Sequence, residues 1–221
     1  MAIDSYAKLQ SELSDTLNRT DLIADVTEFS GGTIEGAVQR GISKSERRCV
    51  RRLRTREFET STAFSLSAGV ETSQIPTDFA SAKLFTLTSP VVSVLVGKDL
   101  TQLINDFPST AAGTPNSFAP YGTNFYFRRV PDSAYTAKLF YYSIPTPLSG
   151  SNTSNVLLTK YPDLLFYGAL LELTAHLEDD GRIQIWKGLF DEAVKDITDD
   201  NTANRWSGAP IRSSVDVRSI V

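Results

Sequence analysis

The sequence has very few of the residues that build most catalytic and metal sites. Its 221 residues include one cysteine, Cys49, and one histidine, His176. A single cysteine excludes a disulfide within the chain, and the two residues are too few for a zinc site made from cysteine and histidine. P-loop, dinucleotide-binding, HExxH and GxSxG motifs are also lacking. We therefore expect no enzyme activity, no catalytic residue, no metal and no cofactor.

Long apolar runs are missing as well. No run reaches the roughly 18 apolar residues of a membrane helix, and the first residues lack the basic and apolar regions of a signal peptide. We therefore expect synthesis in a cytoplasm and no membrane contact. The net charge of −4 argues against the whole chain being a nucleic-acid binder.

The first zone, residues 1–56, is predicted to be helical. The stretch SYAKLQSELSDTLNR has an apolar face at helical spacing, and TDLIADVTEF follows with Thr20 as a possible N-cap. Gly31 and Gly32 interrupt the pattern, which resumes in TIEGAVQRGISKSERRCVRRLR. The apolar face of the first stretch contains Tyr6, Leu9, Leu13 and Leu17, and that of the last contains Ile34, Val38, Ile42, Cys49 and Leu53.

The second zone, residues 57–147, is predicted to be an inserted antiparallel β domain, a small barrel or sandwich. It holds eight of the ten prolines and 14 of the 22 aromatic residues, and short strand-like runs alternate there with turns. The predicted strands are AFSLSAG, KLFTLTS, VVSVLVG, NFYFRRV and YTAKLFYYSI. The segment KDLTQLINDF is the exception and is predicted to be a short helix. In IPTDF, residues 75–79, a turn is expected in which Thr77 and Asp78 bond the local backbone.

The third zone, residues 148–206, is predicted to be a helical hairpin. Pro162 suits the first position of one helix, and Asp179 or Asp180 suits the N-cap of the next. Gly168 and Ala169 are small enough to let helices approach closely. The apolar stripe of the second helix contains Ile183, Trp186, Leu189, Phe190, Ala193, Val194 and Ile197. The predicted fold class is therefore α+β: a bundle of N- and C-terminal helices with a β domain inserted between them.

Residues 207–221 have no helical period and are predicted to be an extended docking tail. The residues expected to make the docking contacts are Pro210, Ile211, Arg212, Val215, Val217, Ile220 and Val221.

The sharpest electrostatic feature is a basic helix, which could contact nucleic-acid phosphates. A solvated or salt-bridged face is the favoured alternative, because residues 160–200 hold ten acids against four bases and offer partners within the chain or on a neighbouring copy. The basic positions are Arg40, Lys44, Arg47, Arg48, Arg51 and Arg52.

The remaining candidate chemistry is weak. His176, late in a helix, is expected to be structural, and Cys49 is expected to be a small core residue. The cluster from Glu178 to Asp180 favours a capping role over metal binding. A glycosidase-type pair of distant carboxylates is not excluded, but nothing singles out a pair.

The order of motifs resembles the head-to-tail adaptor (connector) proteins of tailed bacteriophages, in the group with a β insertion between connector helices. The resemblance is carried by IPTDFASAKLFTL, then YGTNFYFRRVPDSAYTAKLFYYSIPTPLS, then NVLLTKYPDLLFYGALLELTAHLEDDGRIQIWKGLFDEAV. The last phrase is the most specific, and the order covers about 190 positions.

The resemblance implies a structural virion protein at the head–tail interface, assembled in the host cytoplasm. Such proteins form a ring of twelve copies under the portal protein, extend the channel through which double-stranded DNA passes, and carry a tail, nozzle or fibre protein. The basic helix is then expected to contact a neighbouring subunit or the portal, and the tail to dock on the portal. The acids expected to face the channel or a neighbour are Glu172, Glu178, Asp179 and Asp180.

Two other interpretations stay open. In one, the β domain is a binding module for a glycan or a fibre protein, and the helices only oligomerise. In the other, the chain is a hydrolase with an unrecognised carboxylate pair.

Overall fold

A computed structural model describes residues 3–18, 22, 26–27, 33–34, 36–107, 111–174 and 181–206. The chain divides into two compact units, one formed by Met1–Arg56 with Pro147–Val221 and the other by Glu57–Thr146. The described helices are α1 (Tyr6–Leu17), α2 (Ala37–Arg52), α3 (Leu100–Asp106), α4 (Val156–Lys160), α5 (Pro162–Leu173) and α6 (Ile183–Trp206). The predicted α+β class with an inserted β domain is confirmed.

The predicted face of the first helix is buried. In α1, Leu9 and Leu13 are fully buried, and Tyr6 and Leu17 are nearly so. These side chains pack in one core with residues of α2 and α5. The helix ends at Leu17 and is capped by Asn18, whose left-handed conformation (φ 52°) is one that asparagine tolerates.

The prediction of a helix over TDLIADVTEF is wrong in its second half. Val26–Thr27 forms strand β1, which pairs antiparallel with β2, Thr33–Ile34. β-branched residues favour strands over helices, and two of them occupy each side of this pairing in the sequence VT…TI. Ile34 therefore belongs to a strand and not to the stripe of α2. Thr20, Gly31 and Gly32 lie outside the described residues.

Helices α2 and α5 cross closely because small residues meet at the crossing. A Cβ on Gly168 would collide with Ser45 Oγ and lie 3.1 Å from Phe190 Cε2, and one on Gly41 would lie 3.0 Å from Leu173 Cγ. The Ser45 hydroxyl donates a hydrogen bond to the Leu165 carbonyl at 3.1 Å. The predicted close approach at Gly168 is confirmed.

A buried glutamate ties the 147–155 loop to α2. Glu46 is 6% exposed, and its carboxylate accepts hydrogen bonds from the Leu148 backbone N–H at 3.1 Å and from Asn155 Nδ2 at 2.7 Å. Asn155 also caps α4, because its Oδ1 accepts from the Leu158 N–H at 3.1 Å. Burial is the main cause that raises the pKa of Glu46 above its ordinary value.

The described part of the second unit contains nine strands. They are β3 (Glu59–Leu66), β4 (Thr72–Gln74), β5 (Phe79–Ser89), β6 (Ser93–Gly97), β7 (Ala112–Gly113), β8 (Ser117–Tyr121), β9 (Asn124–Arg128), β10 (Val130–Pro131) and β11 (Tyr135–Ser143). Seven of them form one sheet in the order β3-β11-β5-β6-β8-β9-β4. The β6–β8 pairing is parallel, and the other pairings in this sheet are antiparallel. The predicted antiparallel sheet is thus mixed.

The sheet curls until it is nearly closed, like a barrel. Phe64 on β3 and Phe125 on β9 stand near opposite ends of the strand order, yet their ring centroids are 6.0 Å apart. Phe85 links them, with edge-on contacts at 5.3 and 5.6 Å. These phenylalanines therefore fill a core, as expected for the aromatic residues of this zone, whereas Tyr121 is exposed.

The IPTDF stretch forms a turn, in which the Phe79 N–H donates to the Pro76 carbonyl at 3.1 Å. The expected local side-chain bond of Asp78 is replaced by a long-range one, since Tyr141 donates its hydroxyl proton to Asp78 Oδ1 at 2.9 Å. Burial and this hydrogen bond raise the pKa of Tyr141 to about 12. The turn is therefore anchored to β11.

Within the described ranges, no helix has the length and apolar character needed to cross a bilayer. In that same part of the chain, no group of three or more His, Cys, Asp and Glu side chains is placed to hold a metal ion.

Candidate subunit-contact surfaces

The six predicted basic residues of α2 lie on two different faces of the helix. Arg48 and Arg52 point toward α5 and α6 and form ion pairs within the chain. Arg48 pairs with Glu172 of α5, and Arg52 Nη1 lies 2.9 Å from Asp191 Oδ1 of α6. The predicted attraction between the basic helix and the acidic third zone is therefore realised inside one subunit at these two positions.

Phe190 organises this inner cluster. Its side chain is 1% exposed, and the guanidinium carbons of Arg48 and Arg52 lie 5.8 and 5.4 Å from its ring centroid. Cation–π contact and two ion pairs thus hold both arginines against the helical hairpin. Asp191 was missed by sequence reasoning, although it directly follows a residue of the predicted apolar stripe.

The outer face of α2 carries Lys44, Arg47 and Arg51. All three side chains are exposed, and the structure gives none of them an ion pair or side-chain hydrogen bond with a described residue. At about 100° per residue, they fall within roughly 60° of arc. We call these three residues the basic face. Arg40 lies in the same sector but is half-buried and has an interaction of its own.

The predicted acids are only partly described. Glu172 is 19% exposed at its side chain and is held by Arg48. Glu178, Asp179 and Asp180 lie outside the described residues, as do His176 and the whole predicted docking tail, residues 207–221. Their proposed contacts with a channel, a neighbour or the portal stay predictions.

Helix α6 carries an acidic face that sequence reasoning did not single out. Glu192, Asp196 and Asp199 are exposed and have no ion pair or side-chain hydrogen bond with a described residue. Their spacing of four and three residues places them within roughly 60° of arc, away from the buried Trp186 and Phe190. In the sequence, acids spaced four and three residues apart between the positions of the predicted apolar stripe already indicate this face. We call these three residues the acidic face.

Cys49 is confirmed as a core residue. It is fully buried, and burial raises the pKa of its thiol to about 11. Because the thiolate is the reactive form, this cysteine is a poor nucleophile in the folded protein.

The family model described as SU10 adaptor protein matches residues 4–214. The chain therefore belongs to the SU10 adaptor family, and it is a tailed-phage head-to-tail adaptor, a structural component of the virion. No curated protein matches the sequence significantly.

Proposed function

We propose that this adaptor forms a closed ring of twelve copies beneath the portal protein, extends the DNA channel and offers a platform for the tail. The observation that carries the proposal is a pair of oppositely charged, exposed faces on α2 and α6 of an SU10-family adaptor, neither of which forms an ion pair with a described residue. A subunit with two different complementary faces associates head to tail, and such association closes into a ring when the rotation permits.

The passage of double-stranded DNA is the second part of the proposal. Acids that line a channel repel phosphate and let DNA slide, whereas a lining of free arginines would hold it. The candidate lining acids are Glu172 and Glu178 to Asp180, and Arg48 already balances the charge of Glu172. Reversal of the charges at residues 178–180 is expected to impair DNA retention or ejection, and unchanged infectivity would contradict a channel position for these acids.

The tail supplies the third part. Residues 210–221 combine apolar side chains with Arg212, a composition suited to adding a strand to the portal or filling a groove on it. A chain that ends at Trp206 is expected to keep its helical content and lose portal binding. Normal portal binding by that chain would refute the docking role.

Ring formation is tested by electron microscopy of the purified chain with and without its cognate portal. The proposal predicts a ring stacked coaxially on the portal. A chain that stays monomeric beside its cognate portal would contradict it.

A second function, attachment of a tail or fibre protein to the β domain, is favoured by exposed valines around β6. Val92, Val94 and Val96 are 81%, 58% and 53% exposed, while Leu95, between the last two, is 3% exposed. A cluster of exposed apolar side chains marks a protein contact. V92E with V94E is expected to abolish attachment of tail proteins to the portal–adaptor complex, while S133E in an exposed loop leaves it intact. Equal attachment by both variants would exclude this surface.

A further inference from the structure

The basic face of α2 and the acidic face of α6 have the same length. Lys44 to Arg51 and Glu192 to Asp199 each span seven residues, or roughly 10 Å along a helix. Each face has three charges of one sign and occupies a similar sector of its helix. The basic face and the acidic face are therefore complementary in both length and charge.

Among the described residues, the basic face and the acidic face form no ion pair with each other. Arg48 and Arg52, on the neighbouring sector of α2, take up the in-chain contacts with Glu172 and Asp191. Lys44, Arg47 and Arg51 are left exposed on the outside. The inner arginines hold α2 against α5 and α6 of the same subunit, whereas the outer cations form no ion pair with a described residue.

We propose that α2 of one copy packs against α6 of the next copy, with the basic face opposite the acidic face. The inference rests on the proposed ring and names its subunit contact. A second copy is the partner because the complementary charges are present on this chain, in equal number, on a separate helix of the same unit.

The direction of the contact follows from the arrangement within the subunit. Phe190 of α6 lies by Arg48 and Arg52 of α2. Later in α6, Asn201 Nδ2 donates to the carbonyl of Arg54, two residues past the end of α2, at 3.2 Å. Helices α2 and α6 therefore run in the same direction in one unit. A twelvefold rotation turns a neighbour by only about 30°, so α2 of one copy and α6 of the next run nearly parallel.

In a parallel register, the two ends of the faces coincide and the centres nearly do. Lys44 stands opposite Glu192 and Arg51 opposite Asp199, while Arg47 and Asp196 are offset by roughly 1.5 Å. Long, flexible cationic side chains absorb such an offset. Each pair is exposed and weak alone, so the contact is expected to be cooperative around the ring and sensitive to salt.

The test uses charge reversal on each face. K44E/R47E/R51E leaves a subunit with two acidic faces, and E192K/D196K/D199K leaves one with two basic faces. Each variant alone is expected to lose ring formation on the portal at 150 mM salt, while retaining the circular dichroism and melting transition of the wild type. K195E, on α6 but outside the acidic face, is the matched control and is expected to form rings normally.

Mixing the two reversed variants decides between a subunit contact and a general loss of charge. Their opposite faces are complementary, so an equimolar mixture is expected to restore an alternating ring, which an even number of copies permits. A variant with all six reversals is also expected to form rings, because its faces are exchanged. Rings from either triple variant alone, or no rings from the mixture, would overturn the proposal. If the variant with all six reversals forms no rings and also loses DNA binding, the basic face contacts DNA and not a neighbouring subunit.

A cross-link separates failure of this contact from failure of the ring. Cys49 is buried, so the variant R47C/D196C has its accessible thiols only at the proposed contact. Oxidation of the concentrated protein is expected to give a ladder of covalent multimers, and R47C alone to give none beyond a dimer. Cross-linked multimers in a sample that shows no ring would support the contact between α2 and α6 and contradict the proposed ring. A ring without R47C–D196C multimers would sustain the proposed function and overturn the contact.

Discussion

The Asn155 side chain donates a hydrogen bond to the Glu46 carboxylate across 109 positions of sequence, at 2.7 Å. Asn155 at the same time caps α4 through the Leu158 N–H. One buried acid on α2 therefore fixes both the 147–155 loop and the start of the C-terminal helices. This relationship joins the two parts of the helical unit that the β domain separates in sequence.

Glu46 is expected to make stability fall as pH rises. Burial raises its pKa in the folded protein above the ordinary 4.5, so the folded state binds the proton more tightly than the unfolded state does. The stabilisation is fully present below pH 4.5 and is lost as pH rises through the raised pKa. Urea unfolding should show wild type losing stability relative to E46Q as the pH rises through that window. A pH-independent difference between wild type and E46Q would contradict this account.

Gly168 is expected to be intolerant of any side chain. G168A places a Cβ against Ser45 Oγ and close to Phe190, so we expect a loss of about 1–3 kcal/mol from overpacking, despite the better helix propensity of alanine. The double variant G168A/S45A removes the clashing hydroxyl and should recover part of the loss. Equilibrium unfolding of the four proteins gives the coupling energy, and a coupling of zero would contradict the close crossing.

Phe190 and Asp191 should differ sharply in their effects. F190A removes a fully buried ring that also contacts two guanidinium groups, so a loss of about 3–5 kcal/mol is expected. D191N breaks only a half-exposed ion pair with Arg52, so the loss should stay below about 1 kcal/mol and shrink in salt. Thermal melts at low and high salt measure both. A larger effect for D191N than for F190A would show that the ion pair dominates the cluster.

Cys49 is expected to be unreactive in the folded protein. Its thiol is fully buried and has a pKa of about 11, so the thiolate is scarce at pH 8. A chromogenic disulfide reagent should label it at the rate of unfolding in native buffer and within seconds in denaturant. Rapid labelling of the native chain would mean that the α2 core is open.

Local patterns in the sequence predicted the helical faces, because burial recurs at helical spacing in α1 and α6. Strands β4 and β8 escaped prediction: Thr72–Gln74 is short and polar, and Pro120 lies within Ser117–Tyr121. Polarity and proline both weaken a strand signal.

The basic run of α2 could be predicted from the sequence, but the partners of its residues could not. Arg47, Arg48, Arg51 and Arg52 form one basic run in sequence, but only the positions of α5 and α6 reveal which of them are paired. Glu46 has partners more than 100 residues away, so no local pattern announces its role. Long-range packing decides such roles, and spacing alone does not report it.

The most direct test of the account is the mass of the complex between this adaptor and its cognate portal, measured by native mass spectrometry. The ring proposal predicts twelve adaptor copies on one portal ring, and loss of all of them together when either charged face is reversed. A complex with scattered, partial copy numbers, or the same complex after reversal of a charged face, would contradict a closed ring held by α2 and α6.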